Sequence, residues 1–208
     1  KLATDSLASN AKKIGVTIEQ LLKIEIEVDA NIYKTSTNNS LSLSYQINLP
    51  SITLAEQLQW PSWHKDKVSF DDYLWEQTCL ECFITSDAKS YIEINASPDG
   101  RYALYQFADY RNPPALPPLP LLKKDSNDRA RIFWNELKSS QIGSTTYQRH
   151  FSLSLDAVLS NFLTGNSKTL IHPCVILFFA DTALYFAPAH ATPSDFHNRQ
   201  YWSTLQLQ

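Results

Sequence analysis

Methionine is absent from this 208-residue sequence, glycine occurs only four times, and cysteine only three times. An odd number of cysteines is typical of free thiols in a reducing compartment and does not suit a disulfide framework. Cys79 and Cys82 have CxxC spacing, but on a strand this spacing directs the two sulfurs to opposite faces, and no second CxxC completes a set of zinc ligands. We therefore predict that these thiols are buried and reduced.

The sequence also lacks a basic tract and a long apolar run. The formal net charge is −3 and the isoelectric point is near 5.9, which argues against nucleic acids and anionic membranes as partners. No apolar run approaches the roughly twenty residues that span a bilayer. The first residues lack the apolar stretch of an uncleaved signal peptide, and the missing initiator methionine leads us to expect a trimmed amino terminus. We expect the cytoplasm, with the periplasm or secretion left open.

Common catalytic motifs are missing as well. The sequence contains no GxSxG, HExxH or P-loop pattern, which removes the usual local signals of serine hydrolases, zinc proteases and nucleotide-binding enzymes. We do not expect an enzyme. A hydrolase that uses two carboxylates stays open as an alternative, because Glu81 and Glu93 are predicted on strands that can be neighbours.

The strongest positive pattern lies between Trp75 and Arg111, where apolar and polar residues alternate through three predicted strands at 78–85, 90–96 and 101–107. Alternation with a period of two sends successive side chains to opposite faces of a sheet. One face should carry Glu81, Tyr91, Glu93 and Asn95, and the other Leu80, Ile84, Ile92 and Ile94. Between the last two strands, Ser97-Pro98-Asp99-Gly100 has the composition of a turn.

Further strand patterns flank this segment. We predict strands at 22–28 and 40–49 joined as a hairpin, then a loop or short helix up to residue 73, and later strands at 130–137, 145–155, 170–179, 184–187 and 201–207, with a short helix at 156–163. Nine or ten strands without a βαβ rhythm indicate an all-β fold, a two-sheet antiparallel β-sandwich with short helices in the connections. We expect a single domain over residues 1–208, in which residues 1–20 are flexible or partly helical.

Two polar or proline-rich segments allow more than one interpretation. The prolines of residues 112–120 favour an extended connection between strands, with an SH3-type protein ligand as the alternative. Near the carboxyl end, Thr192 and Pro193 favour the start of a short helix, whereas His190, Asp195 and His197 could instead bind a metal or haem. We expect no cofactor: haem is disfavoured, and structural calcium at Asp66, Asp71 and Asp72 is left open.

Three motifs in this order resemble those of bacterial DOMON-like domains related to family 9 carbohydrate-binding modules. They are LWEQTCLECFI, YIEINASPDGRYALYQFADYR and PAHATPSDFHNRQYW. The resemblance extends from about residue 22 to the end of the sequence and implies a β-sandwich. It further implies that Trp75 stacks on a pyranose ring, that Glu81 accepts hydrogen bonds from hydroxyls, and that Glu93 and Asn95 form the adjacent polar pair. Relatives have a basic residue where this chain has Glu93.

These observations predict a non-catalytic binding module for a small polar ligand, with a carbohydrate as the favoured class. Aromatic side chains cover the C–H face of a sugar ring, and charged or amide groups bind its hydroxyls. The candidate ligand-binding residues are Trp75, Glu81, Tyr91, Glu93, Asn95, Tyr105 and Arg111. Two alternatives stay open: a protein-interaction or regulatory domain, and a structural role in which Arg101 or Arg111 forms ion pairs with Glu81 and Glu93.

Overall fold

The computed structural model describes residues 1–35, 39–86, 88–124, 126–135, 143–156, 158 and 168–205. Within these ranges there are three α-helices: α1 (Leu7–Ile14), α2 (Ile18–Leu22) and α3 (Ile52–Gln57). The strands are β1 (Glu25–Lys34), β2 (Asn39–Asn48), β3 (Cys79–Thr85), β4 (Tyr91–Ala96), β5 (Tyr102–Phe107), β6 (Ile132–Asn135), β7 (Thr146–Ser154), β8 (Leu170–Phe179), β9 (Thr182–Phe186) and β10 (Ser203–Thr204). One-turn 3₁₀ helices occur at Lys65–Lys67, Leu74–Glu76 and Arg199–Tyr201.

The strands form two antiparallel sheets, as predicted. One sheet has the order β1-β2-β7-β6, and the other has the order β10-β8-β3-β4-β5, with β9 also paired to β8. The hydrophobic core lies between them, and its largest fully buried side chains from the first sheet include Tyr45 and Phe151. The fold is therefore an all-β sandwich in which short helices lie in the connections. No helix in the described ranges is both long and apolar enough to cross a membrane.

The central hairpins of the second sheet follow the predicted alternation. Leu80, Ile84, Ile92 and Ile94 face the first sheet, while the opposite face carries Glu81, Tyr91, Glu93 and Asn95, with Glu81 directly opposite Asn95. Cys79 and Cys82 lie on opposite faces, and all three cysteines are free and buried. The outer face of this sheet is covered by loops and therefore forms a second buried layer of side chains.

Three local predictions need correction or lie beyond the described residues. The strand predicted to begin at Leu22 begins at Glu25, because a capping box between Thr17 and Gln20 starts helix α2 and extends it to Leu22. No helix begins at Thr192; the Asp195 carboxylate instead accepts a hydrogen bond from the backbone N–H of His197 (3.1 Å) and holds a turn. The predicted helix at 156–163 falls largely outside the described residues.

Candidate functional site

A cavity of about 410 Å³ lies on the outer face of the second sheet. Its floor comes from β3, β4, β5 and β8, and three loops together with β9 form its walls. The residues that line it are Trp75, Glu81, Phe83, Glu93, Phe107, Arg111, Pro113, Pro114, Ala115, Leu116, Pro118, Ile176, Tyr185, Ser194, Asp195, Phe196 and His197. A volume within the range of about 300–1,000 Å³ is typical of small-molecule sites.

Strand register explains why two glutamates meet at the floor. Glu81 on β3 is opposite Asn95 on β4, and Glu93 precedes Asn95 by two residues on the same face. The two glutamates are therefore diagonal neighbours across adjacent strands. Glu81 is 2% exposed and Glu93 5% exposed, so both side chains are almost completely buried.

The pKa values of both carboxyl groups are raised. For Glu81, burial has the largest effect and the charge of Glu93 adds to it, so its pKa lies well above the ordinary value. Burial raises the pKa of Glu93 to about 7, although the amide of Asn95 opposes the shift by donating a hydrogen bond to Oε1 at 2.7 Å. Both shifts favour the protonated forms of the two carboxyl groups.

The structure does not contain the ion pairs that the structural alternative requires. Arg101 binds Asp99 at 2.9 Å and Asp71 at 2.8 Å, and Arg111 binds Asp195 at 2.8 Å. Among the described residues, no arginine or lysine forms a salt bridge with Glu81 or Glu93. The two glutamates thus face the cavity without a cationic partner from the protein side chains described.

A chain of hydrogen bonds orients His197 beside Glu93. The backbone N–H of Arg111 donates to the hydroxyl of Tyr91 at 3.1 Å, and this hydroxyl lies 2.7 Å from Nδ1 of His197. Burial raises the pKa of Tyr91 to about 12. The hydroxyl therefore stays protonated and can donate a hydrogen bond to Nδ1. The other ring nitrogen, Nε2, then carries the histidine proton and lies 3.7 Å from Oε2 of Glu93.

The imidazole of His197 is uncharged near neutral pH. Burial lowers its pKa to about 3, and the nearby guanidinium of Arg111 contributes to this shift. The contact with Glu93 is therefore not an ion pair, and at 3.7 Å it is longer than a hydrogen bond. His197 presents a neutral N–H to the cavity next to a carboxyl oxygen.

The carboxylate of Asp195 connects two of the loops that form the wall. It accepts hydrogen bonds from Tyr110 at 2.7 Å and from Arg111 at 2.8 Å. Burial alone would raise the pKa of Asp195, but these two hydrogen bonds lower it. Arg111 itself has a left-handed backbone, with φ of 47°, which is uncommon for a residue with a side chain and is often found at binding sites. Asp195 therefore fixes two wall loops to each other.

The aromatic lining comes from several elements. Trp75 lies in the one-turn helix Leu74–Glu76, and its ring contacts the ring of Tyr105 at a centroid distance of 5.9 Å. Phe83 and Phe107 belong to the strands of the floor, and the ring centroid of Phe196 lies 6.4 Å from that of Phe83. The cavity therefore offers apolar ring faces beside its polar groups.

The seven predicted ligand-binding residues occupy two layers. Trp75, Glu81, Glu93 and Arg111 line the cavity. Tyr91, Asn95 and Tyr105 support it from behind: Tyr91 orients His197, Asn95 donates to Glu93, and the ring of Tyr105 contacts that of Trp75. The second layer therefore contacts the lining residues and not the cavity itself.

Several lining residues were not among the ligand-binding residues predicted from sequence. Phe83 and Phe107 continue the alternation that placed Glu81 and Tyr105, so the pattern contained a signal for them. Asp195 and His197 were considered only as metal or haem ligands, and no local pattern relates them to a sheet about 100 residues earlier. The proline segment (residues 112–120) connects β5 to β6, as predicted, and it also forms part of the cavity wall. The residue after it, Leu121, pairs with β5, since its N–H donates to the carbonyl of Leu104 at 2.8 Å.

Residues that were considered as possible metal ligands have other partners. Asp71 binds Arg101, and Asp72 accepts the hydrogen bond from Tyr105. His190 lies 2.9 Å from the carbonyl oxygen of Lys1. In the part of the chain that the structure describes, no three His, Cys, Asp or Glu side chains are placed to share a metal ion.

Comparison with known proteins gives a similarity of fold. No family model and no curated protein matches the sequence. The structure is similar to the crystal structure of a "putative carbohydrate-binding protein" from Bacteroides uniformis, with a TM-score of 0.53, 12% sequence identity, and coverage of 99% of this chain and 93% of that chain. At this identity the similarity establishes a shared β-sandwich fold, while function has to be argued from the site.

Proposed function

We propose that this protein is a non-catalytic binding module for a small polar ligand, and that the ligand is a carbohydrate held in the cavity beside Trp75. One observation carries this proposal: an aromatic cavity of about 410 Å³ has two buried carboxyl groups at its floor that no described arginine or lysine neutralises. Polar groups that are buried without full partners are costly in a folded protein. A ligand with several hydroxyl groups would supply the missing partners.

The polar groups suit a polyol in particular. A protonated carboxyl donates one hydrogen bond and accepts others, an ionised one only accepts, and the neutral Nε2–H of His197 donates. Sugar hydroxyls both donate and accept, so they can match this mixed set. The fold is also similar to that of a protein whose name describes it as carbohydrate-binding, which supports the same ligand class.

The aromatic residues supply the second half of sugar recognition. The indole of Trp75 and the rings of Phe83, Phe107 and Phe196 are apolar surfaces that can cover the C–H face of a pyranose. The ring of Trp75 is itself held by Tyr73 and Tyr105, with centroid distances of 5.2 and 5.9 Å. A pre-positioned ring loses little freedom when a ligand binds, and this increases affinity.

The first prediction concerns Trp75. We expect Trp75→Ala to weaken sugar binding about fivefold or more, because loss of an aromatic contact removes about 1 kcal/mol or more of interaction. Isothermal titration calorimetry against a panel of neutral and amino monosaccharides and disaccharides measures the change. A thermal shift assay with the same panel gives a second readout, because a ligand at a hundred times its Kd stabilises the native state by about 2.7 kcal/mol.

Phe133→Ala is the matched control. Phe133 is an exposed aromatic residue of β6, in the other sheet, so its removal should leave sugar affinity unchanged. Chromatography of the ligand after incubation with the protein should return it intact, as a non-catalytic role requires. Absence of heat and of any thermal shift across the whole panel would overturn the carbohydrate proposal.

A further inference from the structure

The floor of the cavity combines acidic groups with a lack of cations. Arg111 is the lining arginine, and its Nη2 is 2.8 Å from Asp195 Oδ1. His197 is neutral, because its pKa is lowered to about 3 by burial and by Arg111. Neither group therefore forms an ion pair with Glu81 or Glu93, although the charge of Arg111 partly opposes the rise in the pKa of Glu93. Carboxylates as buried as these two are usually paired with a cation.

The surrounding rings favour a cation as well. An ammonium group is attracted to the face of an aromatic ring, most strongly to tryptophan, when it lies within about 6 Å of the ring centre. Trp75, Phe83 and Phe107 line the same cavity as the two glutamates. An ammonium group at the floor would thus gain both carboxylate hydrogen bonds and ring contacts, neither of which a neutral hydroxyl obtains to the same degree.

We infer that the cavity selects an amino sugar with a free, unacetylated amine, whose ammonium group binds Glu81 and Glu93 while the ring of the sugar packs against Trp75. This inference rests on the proposed carbohydrate function and names the ligand class within it. An acetylated amine is neutral and bulkier, so it should be disfavoured. A neutral hexose would leave the carboxyl groups protonated and would gain only neutral hydrogen bonds.

Binding of an ammonium group should release a proton from the two glutamates. Without ligand, burial raises the pKa of both carboxyl groups and so favours their protonated forms, whereas a bound cation favours the ionised forms. The strands present five other titratable groups to this pair: the thiols of Cys79 and Cys174 and the hydroxyls of Tyr45, Tyr91 and Tyr105. The loops present His197, Arg111 and Asp195. Burial raises the pKa of both thiols and of all three phenols, so these groups stay protonated, and the glutamates are the source of the proton.

The test compares matched ligands by calorimetry at pH 6.5. The probes are the 2-amino-2-deoxy forms of glucose, galactose and mannose, each with its neutral parent and its N-acetyl derivative, and ethanolamine as an amine without a ring. We expect at least one amino sugar to bind about tenfold or more tightly than its parent, its N-acetyl derivative and ethanolamine, because charge-assisted hydrogen bonds are about twice as strong as neutral ones. Titrations in two buffers of different ionisation enthalpy should show proton release for the amino sugar alone.

Two variants test the residues. Glu81→Gln and Glu93→Gln each keep the size of the side chain but remove its charge, and we expect the ratio of affinities for amino and neutral sugar to fall towards one. Glu27→Gln, at an exposed position of β1, should keep the wild-type ratio. Circular dichroism checks folding, and the comparison of ligands on the wild-type protein stands even if one variant does not fold.

The possible outcomes distinguish failure of the amino-sugar inference from failure of the carbohydrate proposal. If neutral and amino sugars bind equally well to the wild-type protein, or no proton is released, the amino-sugar inference fails while the carbohydrate proposal stands. If ethanolamine binds as tightly as the amino sugars, the ring makes no contribution and the carbohydrate proposal fails. If no sugar binds, both fail.

Discussion

Among single residues, Glu93 makes the free energy of unfolding depend on pH. Burial raises its pKa from 4.5 to about 7, so the folded protein holds a proton that the unfolded chain has already released. The resulting stabilisation is complete below the unfolded pKa and is lost as the pH rises through the folded value. At about 1.4 kcal/mol for each pKa unit, the full effect is about 3 kcal/mol.

Replacement of Glu93 should therefore change the pH dependence of unfolding. We expect Glu93→Gln to gain about 2–3 kcal/mol of stability relative to wild type between pH 5 and pH 8.5, because the amide cannot ionise in the buried site. Urea unfolding followed by circular dichroism at several pH values measures the difference.

The pKa values of two histidines are shifted in the opposite direction, so their effect on stability has the opposite pH dependence. Burial lowers the pKa of His172 to about 4 and that of His197 to about 3, so the stability they contribute is present above 6.5 and is lost as the pH falls through the folded values. Both histidines are present in wild type and in Glu93→Gln, so their contributions to the pH dependence of unfolding largely cancel in the comparison. Glu27→Gln serves as the control, and parallel curves for wild type and Glu93→Gln would contradict the raised pKa.

At the scale of elements, the turn between β4 and β5 shows why one glycine is required. Gly100 has φ of 115°, its N–H donates to the carbonyl of Ser97 at 3.1 Å, and its carbonyl accepts from the indole of Trp134 at 2.9 Å. A Cβ at this position would lie 3.3 Å from the carbonyl oxygen of His64 and from a methyl group of Val68. The turn therefore needs both an unusual backbone angle and the absence of a side chain.

We expect Gly100→Ala to destabilise the protein by about 2–3 kcal/mol, because the positive φ and the close contacts both disfavour a side chain. Gly15→Ala is the matched control: Gly15 ends α1 with φ of 75°, and a Cβ there meets nothing within 4 Å. We expect Gly15→Ala to destabilise the protein by about 1 kcal/mol. Thermal unfolding of the two variants gives the comparison, and equal losses would show that the contacts around Gly100 relax without cost.

At the scale of the whole molecule, a hydrogen bond across the core connects the first sheet to the floor of the site. The hydroxyl of Tyr45 on β2 donates to the backbone carbonyl of Glu81 on β3 at 2.7 Å, and Tyr45 is fully buried. Burial makes this bond difficult to replace with water. The packing of the two sheets thus helps to fix the backbone of a residue that faces the cavity.

Removal of this hydroxyl should cost more than removal of a comparable one near the surface. We expect Tyr45→Phe to destabilise the protein by about 1–2 kcal/mol. Tyr147→Phe is the control, because its hydroxyl lies 3.3 Å from the carbonyl of Ala55 and is only partly buried, and its effect should stay below about 0.5 kcal/mol. Urea unfolding measures both, and equal losses would argue against a special role for the inter-sheet bond.

Periodicity alone was enough to predict the β-sandwich and the arrangement of its central hairpins. Strands at 78–85, 90–96 and 101–107 were predicted, and β3, β4 and β5 begin and end within one residue of those limits. The two faces of this sheet followed as well, because the alternation of side chains is a local property of an extended backbone. The first strand was predicted at 22–28, whereas β1 is Glu25–Lys34; its start was placed three residues too early because the apolar alternation begins inside α2.

Alternation alone was enough to predict that Glu81 and Glu93 share one face of a sheet, on strands that can be neighbours, because alternation is a local property of an extended backbone. The sequence did not predict that loops cover this face: the loops that hold Trp75, the proline segment and Asp195–His197 converge on it from distant parts of the chain. The pairing of Arg111 with Asp195, across 84 residues, likewise decides which carboxyl groups are left without a cation. Such contacts depend on how loops pack over a sheet, and no local pattern encodes that packing.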